Sequence, residues 1–264
     1  MSATMKETAA RALPLVDLTN LNEDCSEADI EALCRRAVTP HGNVAAVCIW
    51  PRFVAQAADL LADETVTVAT VVNFPSGEEA RDAVLAATLG AIGEGADEID
   101  LVLPYRALLA GDEERARAMV RAVAEACRGE ALLKVIVEAG ELGRESRVGD
   151  ASRLAMDEGA DFIKTSTGKV AVNATLSVAR IMLNEIAQRR AREPDAREIG
   201  FKPAGGIRST ADAAAYLAAA DDILGPDWVS RDTLRFGASG LLDDLLAVLD
   251  GDDDGGGAAD ETVY

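Results

Sequence analysis

Two rhythms of apolar and polar residues alternate along the chain. Short, nearly continuous apolar runs are each followed by a longer amphipathic stretch of Ala, Leu, Arg and Glu. The first kind predicts strands and the second helices. Strands are predicted at 15–17, 44–50, 66–73, 98–103, 132–138, 161–165, 199–202 and 234–237, the first of them short and weak by pattern alone. Helices are predicted at roughly 26–38, 52–63, 77–95, 112–128, 145–159, 175–190, 210–220 and 239–250. Strand then helix, eight times, is the order of a (β/α)8 barrel, an α/β fold for which 264 residues is an ordinary length. A doubly wound open sheet is the alternative, but no glycine-rich dinucleotide fingerprint follows the first strand. Gly95 and Gly159 close helical stretches just before Ala-Asp, and Ser26 with Asp29 forms the pattern of a capping box. The expected organisation is one barrel domain over 1–250 and a flexible, acidic, glycine-rich tail over 251–264 that ends in Tyr264.

The lysines change this picture from architecture to chemistry. There are five, and the other 21 of the 26 basic residues are arginine. Lys134, Lys164, Lys169 and Lys202 lie in or just beyond strand runs, in A-L-L-K-V-I-V-E, D-F-I-K-T-S-T-G-K and G-F-K-P-A-G-G. An amine in an apolar strand is costly unless it is paired, neutral or functional. Burial also lowers the charge of an amine readily, which suits Schiff-base chemistry. A buried Lys–Glu or Lys–Asp pair is the bland alternative for any one of them. Three near consecutive strand ends favour catalysis.

Composition narrows the partners. A formal net charge of −20 argues against nucleic acid and anionic membrane, which need a basic face, but not against a small phosphate in one local pocket. The excess of acid and scarcity of lysine fit either a high-salt cytoplasm or a GC-rich genome. Met1 to Asn20 contains no apolar signal core, and no run reaches transmembrane length. Cys25, Cys34, Cys48 and Cys127 show neither CxxC nor zinc spacing and read as reduced thiols of a cytoplasmic protein. His41, the sole histidine, stands between Pro40 and Gly42 as a turn residue, so a multi-histidine metal site is excluded.

Active sites of such barrels lie at the C-terminal ends of the strands. Those ends carry Asp17, Thr19 and Asn20; Cys48 and Trp50; Asn73; Asp100; Lys134 and Glu138; Lys164, Ser166, Thr167, Gly168 and Lys169; Lys202; and Gly237, Ser239 and Gly240. The loops after the last two strands, with Gly205, Gly206, Gly237, Ser239 and Gly240, form the usual place for a phosphate in this fold, helped by Gly168 and Lys169. Lys164 and Lys202 fall on adjacent strands, so two ammonium groups would crowd each other, and one is expected to lose its proton near neutral pH. Asp100 and Lys134 are expected to form a proton-transfer pair with water between them. A plain buried ion pair is the alternative. No metal or cofactor is required, because an iminium is itself an electron sink.

The stretches D-F-I-K-T-S-T-G-K (161–169), G-F-K-P-A-G-G-I-R (200–208), E-I-D-L-V-L-P-Y-R-A-L (98–108) and R-F-G-A-S (235–239) resemble deoxyribose-phosphate aldolase over nearly the whole chain. The resemblance implies a class I aldolase that cleaves 2-deoxy-D-ribose 5-phosphate to D-glyceraldehyde 3-phosphate and acetaldehyde. It implies Lys164 as the Schiff-base lysine, Lys202 as the second lysine, Asp100 as acid/base and Lys134 as its helper. It places phosphate contacts at Gly168, Lys169, Gly205, Gly206, Ile207, Arg208, Gly237 and Ser239, and proton transfer at Tyr264. Where the family reads R-F-G-A-S-S, this chain reads R-F-G-A-S-G, so Gly240 keeps a backbone N–H and lacks a hydroxyl. The partners implied are a sugar phosphate and small aldehydes, with a homodimer or higher homo-oligomer left open. A Schiff-base aldolase with a different donor, or a sugar-phosphate sensor without turnover, would keep the same pocket.

Overall fold

All eight predicted strands form. In the computed structural model, which describes residues 3–251, they are β1 (Val16–Asn20), β2 (Ala46–Ile49), β3 (Thr67–Val72), β4 (Glu98–Val102), β5 (Leu132–Ile136), β6 (Phe162–Lys164), β7 (Gly200–Lys202) and β8 (Phe236–Ala238). Each pairs in parallel with its sequence neighbour from β1 to β7, and β8 pairs with β1. The Phe201–Leu234 and Ala204–Gly237 bridges bring β7 to β8 and close the ring. Helices follow the strands at Glu27–Ala37, Val54–Leu60, Arg81–Gly93, Glu113–Cys127, Glu145–Asp157, Leu176–Arg192, Thr210–Leu224 and Leu241–Asp250. The strands bury both faces, so they read as continuous apolar runs rather than alternating ones. Their outward residues, such as Val47, Ile99, Val135 and Ile163, join the helices in one core. Ala46, Cys48, Ala69 and Val71 form a small apolar wall of their own with Leu21.

The boundaries depart from expectation where local chemistry competes. The weak first strand is longer than predicted and starts later, because Leu13–Leu15, with Pro14 inside, is taken up by a 3-10 turn. A helix at Met5–Ala12 was not foreseen; Thr4 and Glu7 close it with a capping box. The predicted helix 77–95 begins only at Arg81. Asn73, in the left-handed region at φ 56°, organises the loop before it by donating to the Val102 carbonyl and accepting from the Glu79 amide, at 2.8 Å each. The Ser26–Asp29 capping box forms as expected. His41 sits in the turn of a short hairpin and approaches Asp250 at 2.7 Å. Among the described residues, no helix is long and apolar enough to cross a membrane. The expected tail, apart from Gly251, lies outside the described residues.

The helix exteriors carry the charge. Ion pairs such as Arg36–Asp243 and Arg106–Glu78 stand largely exposed, where each contributes little. Mutual repulsion within a net charge of −20 therefore predicts a melting temperature that climbs with potassium chloride into the molar range. A thermal scan that goes flat above about 0.15 M, where the Debye length is already about 8 Å, would assign the composition to codon usage instead.

Candidate active site

Alternation along a strand decides which side chains enter the barrel. On β4, Glu98 and Asp100 point inward while Ile99 packs outward into the core. Lys134 on β5, Lys164 on β6, Lys202 on β7 and Asp17 on β1 also turn inward, and Arg235 enters just before β8. All seven are at most 3 % exposed. The Phe162 ring lies over Gly200 so closely that any side chain there would collide with it. The Arg235 guanidinium sits 5.7 Å from the centre of that ring. Gly237 likewise leaves room for the Lys202 stem, whose Cε would stand 3.1 Å from an added Cβ.

Asp100 is the centre of the constellation. Its Oδ2 accepts from Lys164 Nζ at 2.7 Å and Lys202 Nζ at 2.8 Å, and its Oδ1 accepts from Lys134 Nζ at 2.9 Å. Lys134 also forms a close ion pair with Glu98. Lys202 stands 2.6 Å from Asp17 Oδ2. Arg235 donates to Asp17 Oδ1 at 2.7 Å and to Glu98 Oε1 at 2.8 Å. Burial would raise the Asp100 carboxyl, but Lys134, Lys164 and Lys202 outweigh it and hold it well below the usual carboxylate range. Burial is likewise outweighed at Asp17 by Lys202, Arg235 and Lys134, and at Glu98 by Lys134 and Arg235, so both stay ionised. Burial works against the charges of Lys134 and Lys202, yet Asp100, with Glu98 for the first and Asp17 for the second, keeps both raised.

Two expectations about this site are corrected by the geometry. No water separates Asp100 from Lys134, because the two are in direct hydrogen-bond contact. Lys164 and Lys202 do not face each other unscreened, because one Asp100 oxygen lies between them. Two members, Glu98 and Arg235, were not singled out from the sequence. The signal was present, since Glu98 stands two residues before Asp100 on the same strand face and Arg235 two before Gly237.

The expected binding residues divide into those at the mouth and those already engaged. Cys48 is fully buried in the small apolar wall, and burial pushes its thiol up. Thr19 donates back to the Asp17 carbonyl at 2.8 Å. Thr167 is held by Glu138, a fully buried residue at φ 53° whose Oε2 accepts the hydroxyl at 2.6 Å; burial pushes the Glu138 carboxyl up. The Thr167 hydroxyl in turn accepts from the Lys169 amide, which shapes the turn at Gly168. Lys169 Nζ is occupied by the Leu21 carbonyl at 2.9 Å rather than facing an anion unpaired. The Gly237 amide donates to the Pro203 carbonyl, the Gly205 amide to the Gly237 carbonyl, and the Arg208 amide to Asp212, so these three amides are engaged within the protein. The Ile207 side chain is buried in the core. Among the described residues, the amides of Gly168, Gly206, Ile207, Ser239 and Gly240 donate to no protein group. Ser239 and Gly240 are exposed at the start of helix Leu241–Asp250, whose N-terminus has no side-chain cap. Tyr264 lies outside the described residues.

A closed parallel barrel with three buried lysines around one carboxylate, beneath unspent amides on its last loops, defines a barrel enzyme for a carbonyl substrate bearing an anion. The chain belongs to the DeoC/LacD family of aldolases, whose model matches residues 11–246. It is 56 % identical over 247 residues to a deoxyribose-phosphate aldolase of Agrobacterium fabrum, covering 93 % of each chain. Among solved structures it resembles a provisionally assigned deoxyribose-phosphate aldolase of Toxoplasma gondii, with a TM-score of 0.85 at 27 % identity and coverage of 94 % and 96 %. It shares its fold with a tetrameric deoxyribose-phosphate aldolase of Aeropyrum pernix, with a TM-score of 0.72 at 24 % identity and coverage of 93 % and 92 %.

Proposed function

We propose that this protein is a class I aldolase that reversibly cleaves 2-deoxy-D-ribose 5-phosphate to D-glyceraldehyde 3-phosphate and acetaldehyde. The single observation that carries the reading is the lysine cluster, in which Lys164 Nζ stands at the top of the barrel with Asp100 2.7 Å away. The amine of Lys164 adds to C1 of the open-chain sugar, and loss of water gives an iminium. Asp100, hydrogen-bonded to Lys134, takes the proton of the C3 hydroxyl as the C2–C3 bond breaks, its electrons passing to the iminium. Glyceraldehyde 3-phosphate leaves, the enamine is protonated at carbon, and hydrolysis releases acetaldehyde. Tyr264 is proposed to carry that last proton. The 14 residues of 251–264 could extend about 48 Å, well beyond the roughly 15 Å rise of the ten-residue final helix. Tyr264→Phe should slow proton exchange into acetaldehyde about tenfold or more, and an unchanged exchange rate would remove the residue from the mechanism.

The substrate phosphate is proposed to sit on Gly168, Gly206, Ile207, Ser239 and Gly240, with the exposed Arg208 guanidinium nearby. A carboxylate at position 239 would stabilise the helix start yet repel a phosphate there. Ser239→Asp should therefore raise KM for the phosphorylated sugar about tenfold or more while leaving kcat/KM for free 2-deoxyribose unchanged. Equal effects on both sugars would place the phosphate elsewhere. The reaction itself is tested by acetaldehyde release from 2-deoxyribose 5-phosphate, and by aldol rates with acetaldehyde, acetone and dihydroxyacetone phosphate as donors. A preference for either ketone would assign a different donor. A cytoplasmic site of action and a homo-oligomeric state complete the proposal.

A further inference from the structure

Among the described residues, three of the four buried cations contact Glu98 or Asp17, and the fourth does not. Lys134 has Glu98, Lys202 has Asp17, and Arg235 has both. Among the described residues, Lys164 forms an ion pair only with Asp100, which it shares with Lys134 and Lys202. Four basic groups thus meet three carboxylates in ion-pair contact, in a space where none of them is more than 3 % exposed. An excess positive charge in such a space is expensive, and loss of one proton removes it. Arg235 cannot supply that proton, because a guanidinium stays charged.

We propose that Arg235 and Glu98 are positioning residues of opposite sign that set the charge of this buried cluster, and thereby make Lys164 the amine that is free to form the imine. Arg235 contributes the charge that puts the cluster one proton over balance. Glu98, with Asp17, confines the remaining positive charge to Lys134, Lys202 and Arg235. Neither residue reaches the mouth where the substrate enters. The inference rests on Lys164 being the imine-forming lysine.

The other groups facing Lys164 do not supply the same control. Asp100 approaches it from β4, Lys134 from β5 and Lys202 from β7, with Asp17 of β1 behind Lys202. Glu138, beyond β5, gives its carboxylate oxygens to the amide and hydroxyl of Thr167 and forms no ion pair among the described residues. Cys48 of β2 is a buried thiol. These groups stay in place in each variant below except where named.

The test is the pH dependence of reductive trapping. The full-length protein is mixed with acetaldehyde and sodium cyanoborohydride from about pH 5 to about pH 10, and ethylation of Lys164 is read by peptide mass. Arg235→Gln leaves three cations against three carboxylates, so the pH midpoint of trapping should rise by about one unit. Glu98→Gln leaves four against two, so it should fall by about one unit. Arg235→Lys should keep the midpoint of the parent protein. The double variant Arg235→Gln/Glu98→Gln removes the pair together, restores the original excess of one and should return the midpoint to its starting value. Because removing a buried pair together is tolerated better than breaking it, the double variant also serves if a single one does not fold. In that case Asp17→Asn replaces Glu98→Gln, with the same downward shift expected. Midpoints that stay put, or move in one direction for both signs, overturn the inference while leaving Lys164 trapped. Absence of ethylation at Lys164 in the parent protein would instead overturn the Schiff-base reading.

Discussion

Lys164→Ala is expected to lose turnover by about five orders of magnitude, since the covalent route disappears with the amine. Reduction of the parent protein with acetaldehyde should add one ethyl group at Lys164 and abolish activity in parallel. Among the described residues the amine pairs with Asp100 alone, so its removal deletes a single ion pair and leaves Lys134 beside Glu98 and Lys202 beside Asp17. The variant should therefore fold and bind the sugar phosphate. Covalent capture at another lysine, or turnover in Lys164→Ala within about a hundredfold of the parent, would move the chemistry elsewhere.

Asp100→Asn should have the next largest effect, and on two properties at once. The carboxylate accepts from three ammonium groups at 2.7 to 2.9 Å with no exposed surface. An amide of the same shape cannot take the C3 hydroxyl proton, so kcat should fall about 10³-fold or more. It also strands buried positive charge, which costs about 3–5 kcal/mol when one partner of a buried pair is removed. The acid response provides a separate check. Asp17, Glu98 and Asp100 are all held below their ordinary values by the cations around them. A lowered carboxyl contributes stability that is fully present above its unfolded value, about 4, and is lost as pH falls through the folded value. Stability of the parent protein should thus decline below about pH 4, and urea titrations should show a shallower decline in Asp100→Asn. An identical slope would mean that Asp100 carries little of the linkage.

The cost of these variants follows from a core that is ionic where most barrel interiors are apolar. The apolar wall on β2 and β3 is made of small side chains, Ala46, Cys48, Ala69 and Val71. It leaves the long cationic side chains of β5, β6 and β7 to fill the barrel's other half. The same arrangement explains why the strand lysines need no solvent. Each amine lies against a carboxylate that enters from β1 or β4.

Most of the architecture was legible along the chain, because a strand buried on both faces announces itself as an apolar run and its helix as an amphipathic stretch. The first strand was least legible: Val16–Asn20 contains Asp17, Thr19 and Asn20, whose polarity serves the barrel interior and hides the strand pattern. The helix Met5–Ala12 was missed because its best evidence, the reciprocal Thr4 and Glu7 cap, is a local contact outside the strand–helix alternation. The lysines stood out because an amine in an apolar strand demands a reason, whereas Glu98 and Arg235 sit at run edges, where a charge needs none.

The order of elements, the inward side of each strand and the residue types capable of imine chemistry are properties of the sequence itself, since they depend on neighbours one to four positions away. The partners of those residues are not. Arg235 and Asp17 are 218 positions apart, and Lys202 and Asp100 are 102 apart. Only closure of the ring brings β8 beside β1 and sets Asp100 beneath three amines. The same closure engages the amides of Gly205 and Gly237 in joining β7 to β8 and, among the described residues, leaves those of Ser239 and Gly240 without an acceptor. Charge balance and hydrogen-bond supply are set by three-dimensional neighbours, so the tertiary structure decided that three amines share Asp100 and which amides of the last loops are engaged within the protein.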